Sequence, residues 1–160
     1  MEHIYLLLGS NIGNVRQNID RALTALKHSN IKVLKKSTAR ITQPWGKADQ
    51  PDFLNMVVQI ACEYTPRELL GILKSIEREM GRTVGERWGP RIIDLDILFY
   101  GSRTLQEDDL VIPHPHFFDR PFAVALMNDI APQFVPPGSD MSIAEYYRDR
   151  IHERKTIHCH

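Results

Sequence analysis

The segment Ile4-Tyr5-Leu6-Leu7-Leu8-Gly9-Ser10-Asn11 places five consecutive apolar residues directly before a turn signal. A continuous apolar run that ends in glycine, serine and asparagine is typical of a strand buried in the middle of a sheet. The run is too short for the core of a signal peptide or for a membrane span. We therefore predict that this run is the first strand and that a turn begins at Gly9.

Hydrophobic periodicity, capping residues and turn residues predict the elements that follow. In chain order these are a helix over 15–28, strands over 31–41 and 53–63, a helix that starts at Pro66 and stops at Gly81, and a strand over 92–100. Helices near 118–128 and from about Ser142 complete the list. The order strand, helix, strand, strand, helix, strand predicts an α+β fold with a ferredoxin-like split βαβ core, an antiparallel sheet of four or more strands and additional C-terminal helices.

Composition limits the classes of partner. The chain has 160 residues, 42% of them hydrophobic, which suits a single domain over 1–160. Twenty basic and twenty acidic residues give a formal net charge of zero, so we expect no nucleic-acid or membrane partner. Cys62 and Cys159 do not form the pattern of a disulfide-built domain. We expect a monomer in the cytoplasm.

The strand over 92–100 carries a pair of acidic residues, Asp94 and Asp96. Residues two apart on a strand project from the same face, so both carboxylates converge while Leu95 packs on the other face. Such a pair suits a magnesium ion that bridges phosphates. Taken alone, the same pattern also fits two surface aspartates paired with nearby arginines.

The segment Arg87-Trp88-Gly89-Pro90-Arg91 stands directly before this strand, with Arg82 upstream. Guanidinium groups are fork-shaped donors that match phosphate geometry, so cations beside the acidic pair indicate a charged ligand. A solvated loop, with its tryptophan covering the core, is the alternative reading of this segment.

Four segments follow one another in a recognisable order: Gly9-Ser10-Asn11, residues 50–55, Arg87 to Asp96, and Pro113-His114-Pro115. Over about Tyr5 to Pro132 the chain resembles the 6-hydroxymethyl-7,8-dihydropterin pyrophosphokinase family. The most specific piece is the unbroken Arg-Trp-Gly-Pro-Arg-x-x-Asp-x-Asp. The resemblance implies transfer of diphosphate from ATP to 6-hydroxymethyl-7,8-dihydropterin in folate biosynthesis, giving AMP and the pterin diphosphate.

The same resemblance implies roles for individual residues. Asp94 and Asp96 are implied to hold two Mg²⁺ ions along the phosphates of ATP, the co-substrate. Arg82 and Arg91 are implied to stabilise charge on the group in transfer. The implied ATP-binding residues are Glu77, Trp88, Arg91, His114 and Arg120.

A pterin is a flat, amide-like heterocycle, so its site needs aromatic faces and an in-plane donor and acceptor. Phe53 and Asn55 share one face of their predicted strand and supply this chemistry. The resemblance implies a pterin site made of Thr42, Trp45, Phe53, Asn55 and Phe122. Ordinary core packing is the alternative for both phenylalanines.

The chain departs from the family pattern at Lys74, Val84, Asp109 and Val111. These departures border the expected nucleotide path and keep a non-catalytic pterin- or nucleotide-sensing module open as an alternative. An RNA-binding sheet of the same topology is disfavoured by the zero net charge and the paired aspartates. Transfer to another pterin alcohol is the third alternative.

Overall fold

A computed structural model describes residues 3–43, 51–81 and 92–149. Its elements are β1 (Ile4–Ser10), α1 (Val15–His28), β2 (Lys32–Lys36), β3 (Arg40–Thr42), β4 (Phe53–Ala61), α2 (Pro66–Glu79), β5 (Asp94–Tyr100), β6 (Leu105–Glu107), β7 (Leu110–Ile112) and α3 (Pro121–Ile130). Residues 143–149 are also helical. Within these ranges, no helix combines the length and apolar character needed to cross a membrane.

The main sheet has five strands in the order β2-β4-β1-β5, with β3 also paired to β4, and every pairing is antiparallel. This is the strand order of the ferredoxin-like split βαβ core, so the predicted α+β fold is confirmed. Strand β1 lies between β4 and β5 and is buried along its whole length. The continuous apolar run at the start of the chain is therefore explained by neighbours on both edges and packing on both faces.

The prediction of one strand over 31–41 is wrong, because β2 and β3 are separate. Ser37 interrupts the pairing with β4: its N–H donates to Val57 O at 2.8 Å, and its hydroxyl accepts the Val57 N–H at 2.9 Å. The side chain thus takes the place of a backbone partner in the ladder. Strand β2 pairs with the last part of β4 and β3 with its first part.

Both faces of the sheet are covered by apolar residues. On the first face, β4 contributes Leu54, Met56, Val58 and Ile60 to a core shared with α1 and α2. On the second face, Tyr5, Leu7 and Val57 pack with α3 and the residues around it. The alternation predicted for β4 is therefore confirmed, and it separates two cores on opposite sides of one sheet.

Helix α3 begins at Pro121, where the fixed φ of proline suits the first helical position. Residues 123–127 are all buried, so this run faces the core as an unbroken apolar segment. The hairpin β6–β7 was not predicted. Its two strands, Leu105–Glu107 and Leu110–Ile112, are joined by a turn at Asp108-Asp109, and this polar turn pair is its local sequence signal.

Candidate active site

The first half of the candidate site is the carboxylate pair on β5. Asp94 and Asp96 are half-buried, and Leu95 between them is buried in the core shared with α1 and α2. The alternation places both aspartates on the opposite face, as predicted. In the sheet order β5 is an edge strand, so its outer backbone groups require partners from elsewhere.

Glu77 on α2 supplies one of these partners. Its side chain is only 3% exposed, and its Oε2 accepts the N–H of Leu95 at 2.8 Å. A buried carboxylate that accepts a backbone N–H satisfies two groups that would otherwise be costly to bury. The contact ties the C-terminal half of α2 to the strand at the residue that separates the two aspartates.

A cleft of about 300 Å³ opens beside this contact, between α2, β5 and the β6–β7 hairpin. Its described lining residues are Leu70, Lys74, Glu77, Asp94, Leu95, Asp96, Ile97, Asp108, Asp109, Leu110, Val111, His114 and Pro115. One wall is apolar and suits a flat base. The polar lining holds five carboxylates and one ammonium, so an anionic ligand here requires additional cations.

His114 lines the same cleft as a neutral imidazole. Burial, and then the charges of Arg120 and His116, lower its pKa from 6.5 to about 4. The Nδ1 atom accepts the N–H of His116 at 3.1 Å, so Nε2 carries the hydrogen. The backbone N–H of His114 donates to Leu98 O at 3.0 Å, which fixes the ring beside β5. The imidazole can therefore donate a hydrogen bond to a phosphate oxygen.

The side chains of the cleft supply only some of the ligands that a magnesium ion needs. Among the described residues, no group of three or more histidine, cysteine, aspartate or glutamate side chains is arranged to hold a metal ion. Magnesium prefers six oxygen ligands, and it commonly takes one or two carboxylates with substrate phosphates and water. Asp94 and Asp96 fit this mode, in which the polyphosphate itself supplies the missing ligands.

The second half of the site lies on the same sheet face, across β1. Gly9 pairs with Asn55 on one side and with Asp94 on the other. A Cβ at Gly9 would lie 3.1 Å from Asn55 Oδ1 and 3.6 Å from Phe53 Cδ1. Glycine therefore leaves open the space in front of these two side chains, which a flat ligand could occupy.

Asn55 is held in place by its neighbour on β3. It is 5% exposed, and its Nδ2 donates to Thr42 Oγ1 at 2.6 Å. Phe53 is half-buried at the start of β4. Phe122 lies in the first turn of α3 and packs in part against the core on the second face, so core packing, the alternative reading, accounts for part of its surface. The structure thus brings Thr42, Phe53 and Asn55 together.

The sequence profile described as 7,8-dihydro-6-hydroxymethylpterin-pyrophosphokinase (HPPK) matches residues 5–132. The chain belongs to the HPPK family. The matched range covers every strand and helix that builds the carboxylate pair, the cleft and the open space at Gly9.

Relatives of this HPPK chain are of two kinds. It is 41% identical over 130 residues to a Bacillus subtilis 2-amino-4-hydroxy-6-hydroxymethyldihydropteridine pyrophosphokinase. The matched residues make up 81% of this chain and 78% of the Bacillus subtilis protein. It is 44% identical over 130 residues to an Arabidopsis thaliana folate synthesis bifunctional protein, which covers 81% of this chain. The chain spans only 27% of the length of that bifunctional relative.

Solved structures of HPPK-DHPS proteins share the fold. The Plasmodium falciparum wild-type HPPK-DHPS with SDX-DHP superposes with a TM-score of 0.79 at 18% identity, over 98% of this chain and 46% of that chain. Another HPPK-DHPS structure, described as in complex with substrates, has a TM-score of 0.75 at 15% identity and covers 95% of this chain and 44% of that chain. At these identities the likeness shows the HPPK fold alone.

Four of the predicted site residues lie outside the described residues: Trp45, Arg82, Trp88 and Arg91. Their assignments stay predictions. Of the departures from the HPPK pattern, Val84 also lies outside, whereas Lys74, Asp109 and Val111 all line the cleft. Arg67 donates to both carboxylate oxygens of Asp109, at 2.8 and 2.9 Å, and to Glu107. These hydrogen bonds hold the pKa of Asp109 below its ordinary value.

The assignment of site residues missed the apolar wall of the cleft and the space at Gly9. Leu70, Lys74 and Glu77 recur at helical spacing, which could have indicated that one face of α2 lines a site. The contribution of Leu110 and Val111 depends on the hairpin, which was not predicted. The space at Gly9 depends on the register of three strands, for which no local signal exists.

Proposed function

We propose that this chain transfers diphosphate from ATP to the hydroxyl group of 6-hydroxymethyl-7,8-dihydropterin, giving AMP and the pterin diphosphate, as a step of folate biosynthesis. One observation carries the proposal. Asn55 on β4 and Asp94 on β5 are the direct pairing partners of Gly9 on β1, so the three residues lie side by side across three neighbouring strands. Two inter-strand spacings, about 10 Å, separate the backbone at Asn55 from the backbone at Asp94. A pterin bound at one end therefore has its hydroxymethyl arm directed towards the other.

The pterin occupies the open space at Gly9 in this proposal. Asn55 reads the edge of the heterocycle, and Thr42 orients the amide by accepting its N–H. Phe53 and Phe122 supply aromatic faces on the same side of the sheet, and Trp45, which lies outside the described residues, is assigned to this site from the family resemblance. Membership in the HPPK family supports this assignment, and so does the buried Asn55 amide, which is already hydrogen-bonded to Thr42.

ATP occupies the cleft beside β5. The apolar wall that includes Leu70 and Val111 receives the base. The phosphates extend towards Asp94, Asp96 and the neutral imidazole of His114, with Arg120 nearby. The family resemblance assigns Trp88 to this half of the site. Glu77 acts here through its contact with the backbone of Leu95.

Two magnesium ions complete the nucleotide site. Asp94 and Asp96 would hold them, together with phosphate oxygens. When bound, the ions neutralise negative charge on the phosphates and orient the group in transfer. The requirement for cations in a cleft lined by five described carboxylates supports this part of the proposal.

The reaction is a direct displacement. The hydroxymethyl oxygen of the pterin forms a bond to the β-phosphorus of ATP, the bond from that phosphorus to the α-phosphate oxygen breaks, and AMP departs. The hydroxyl proton passes to solvent. Catalysis depends mainly on alignment of the reactants and neutralisation of charge. The family resemblance assigns charge stabilisation to Arg82 and Arg91. The chain forms no covalent intermediate.

The chain acts as a single domain over 1–160, as a monomer and in the cytoplasm. The two halves of the candidate site draw on one chain, which supports a monomer. Cys62 and Cys159 do not form the pattern of a disulfide-built domain, which is compatible with a reducing compartment. Size-exclusion chromatography with light scattering tests the oligomeric state.

The test is to incubate the purified protein with ATP, Mg²⁺ and 6-hydroxymethyl-7,8-dihydropterin and to separate the products by chromatography. AMP and pterin diphosphate should form in equal amounts, and only when all three components are present. Tight pterin binding without AMP would instead establish the sensing module. Competition with other pterin alcohols measures how closely the acceptor is specified.

A further inference from the structure

The end of β1 and the turn that it enters, residues 9–12, are held by a buried polar network that the proposed reaction does not use. Asn18 on α1 is 7% exposed, and its Nδ2 donates to Ser10 Oγ at 3.1 Å and to Ile12 O at 2.8 Å. Both hydrogens of this amide are therefore engaged. Ser10 is completely buried at the end of β1.

The same turn reaches across to β4. Asn11 is 2% exposed, and its Nδ2 donates to Pro51 O at 3.0 Å, forty residues away in sequence. Pro51 stands two residues before β4, and Ser10 pairs with Leu54 inside that strand. The side chain of Asn11 thus extends the contact between β1 and β4 beyond the last backbone pair.

We propose that Asn18 is a positioning residue for pterin binding. It fixes the turn at residues 9–12, and the turn holds Pro51 through Asn11. The first residue of β4 is Phe53, whose ring lies 3.6 Å from the position of a Cβ on Gly9. Fixing the turn on one side and Pro51 on the other therefore fixes both walls of the open space, although Asn18 contacts neither wall directly.

The network is buried and lies next to the open space at Gly9. Buried amide hydrogen bonds have a single geometry because an unpaired buried donor is costly. A ring that stacks in a space bounded by Gly9 and Phe53 tolerates little displacement of either. The nucleotide cleft is built from α2, β5 and the hairpin, whereas the hydrogen bonds given above go to Ser10, Ile12 and Pro51, so we expect a smaller effect on the cleft. The inference rests on the proposed function, because it assigns the open space to the pterin.

The test uses Asn18→Leu, which removes both donors at similar volume, and Asn11→Ala, which removes the side-chain hydrogen bond to Pro51 and leaves Asn18 in place. Binding of 6-hydroxymethylpterin is followed by its fluorescence in the presence of Mg²⁺ and α,β-methylene-ATP. We expect the dissociation constant for the pterin to rise about tenfold in each variant, and that for the nucleotide to change by less than about twofold.

Thr65→Ala is the matched control for a loss of stability alone. Thr65 caps α2 by accepting the N–H of Glu68 at 3.2 Å, at the end of the helix far from Glu77. This variant should lose stability and keep its pterin affinity. Unchanged pterin affinity in both asparagine variants, or an equal loss in Thr65→Ala, would overturn the inference. A wild-type protein that binds the nucleotide and not the pterin would overturn the proposed function, and this inference with it.

Discussion

The carboxylate of Glu77 accepts the backbone N–H of Leu95 at 2.8 Å, at the one residue that separates Asp94 from Asp96. The family resemblance implied that Glu77 binds ATP, and in the structure one of its oxygens is bonded to the protein backbone. A carboxylate that is 3% exposed and bound to an edge strand holds that strand against α2. This contact fixes the backbone at the residue between the two aspartates.

Replacement of Glu77 tests whether the contact matters. Glu77→Ala leaves the Leu95 N–H without its acceptor and should cost about 1–3 kcal/mol in the free energy of unfolding. Turnover should fall as well, because both aspartates shift. Glu77→Gln keeps an acceptor oxygen and should retain most of the stability. Urea unfolding and steady-state kinetics measure the two effects, and equal behaviour of the two variants would contradict the positioning role.

Asp96 is predicted to be essential for turnover. Asp96→Ala removes one of the two proposed magnesium ligands, so the rate of AMP formation should fall at least about 100-fold. The circular dichroism spectrum should not change, because the side chain is only half-buried. Asp94→Ala should behave in the same way. Asp20→Ala, an exposed aspartate on α1, is the control, and full activity of Asp96→Ala would rule out the metal assignment.

Gly9 is predicted to be a steric requirement for the pterin. Gly9→Ala places a methyl group 3.1 Å from Asn55 Oδ1, inside the proposed ring site. The KM for the pterin should rise roughly tenfold or more, and the KM for ATP should stay within about twofold. Gly71→Ala on α2 is the matched control, because nothing lies within 4 Å of its added Cβ. A similar KM for the pterin in the two variants would show that the space at Gly9 is not the ring site.

The buried imidazole of His114 makes stability depend on pH. Its pKa is about 4 in the folded protein and 6.5 ordinarily, so between these values the unfolded chain binds the extra proton. Stability is therefore fully present above about pH 6.5 and is lost as the pH falls towards 4. Between about pH 7 and pH 4.5 this contribution is about 2 kcal/mol.

Urea unfolding of the wild type and of His114→Gln at the two pH values isolates this effect. The wild type should lose about 2 kcal/mol more than the variant between them, because glutamine does not titrate. The other titratable groups are the same in both proteins, so their contributions to the pH dependence of stability cancel in the comparison. An equal pH dependence of the two proteins would mean that His114 is protonated in the folded state at the lower pH.

Much of the fold was predictable because its signals are local. The start of α2 at Pro66 and the alternation of β4 were predicted from neighbouring residues. The split of residues 31–41 was not, because the hydroxyl of Ser37 interrupts the strand only by binding Val57, twenty residues away. The hairpin was missed because each of its strands has three residues, too few for a periodicity to register.

The sequence by itself determined the α+β class, membership in the HPPK family and the common face of Asp94 and Asp96. These follow from side-chain period and from contiguous motifs, which need no distant partner. Tertiary structure alone decided that Gly9 lies between Asn55 and Asp94, that Glu77 meets Leu95 and that His114 is neutral. Each depends on strand register or on burial by residues far away in the chain, and local periodicity carries no information about either.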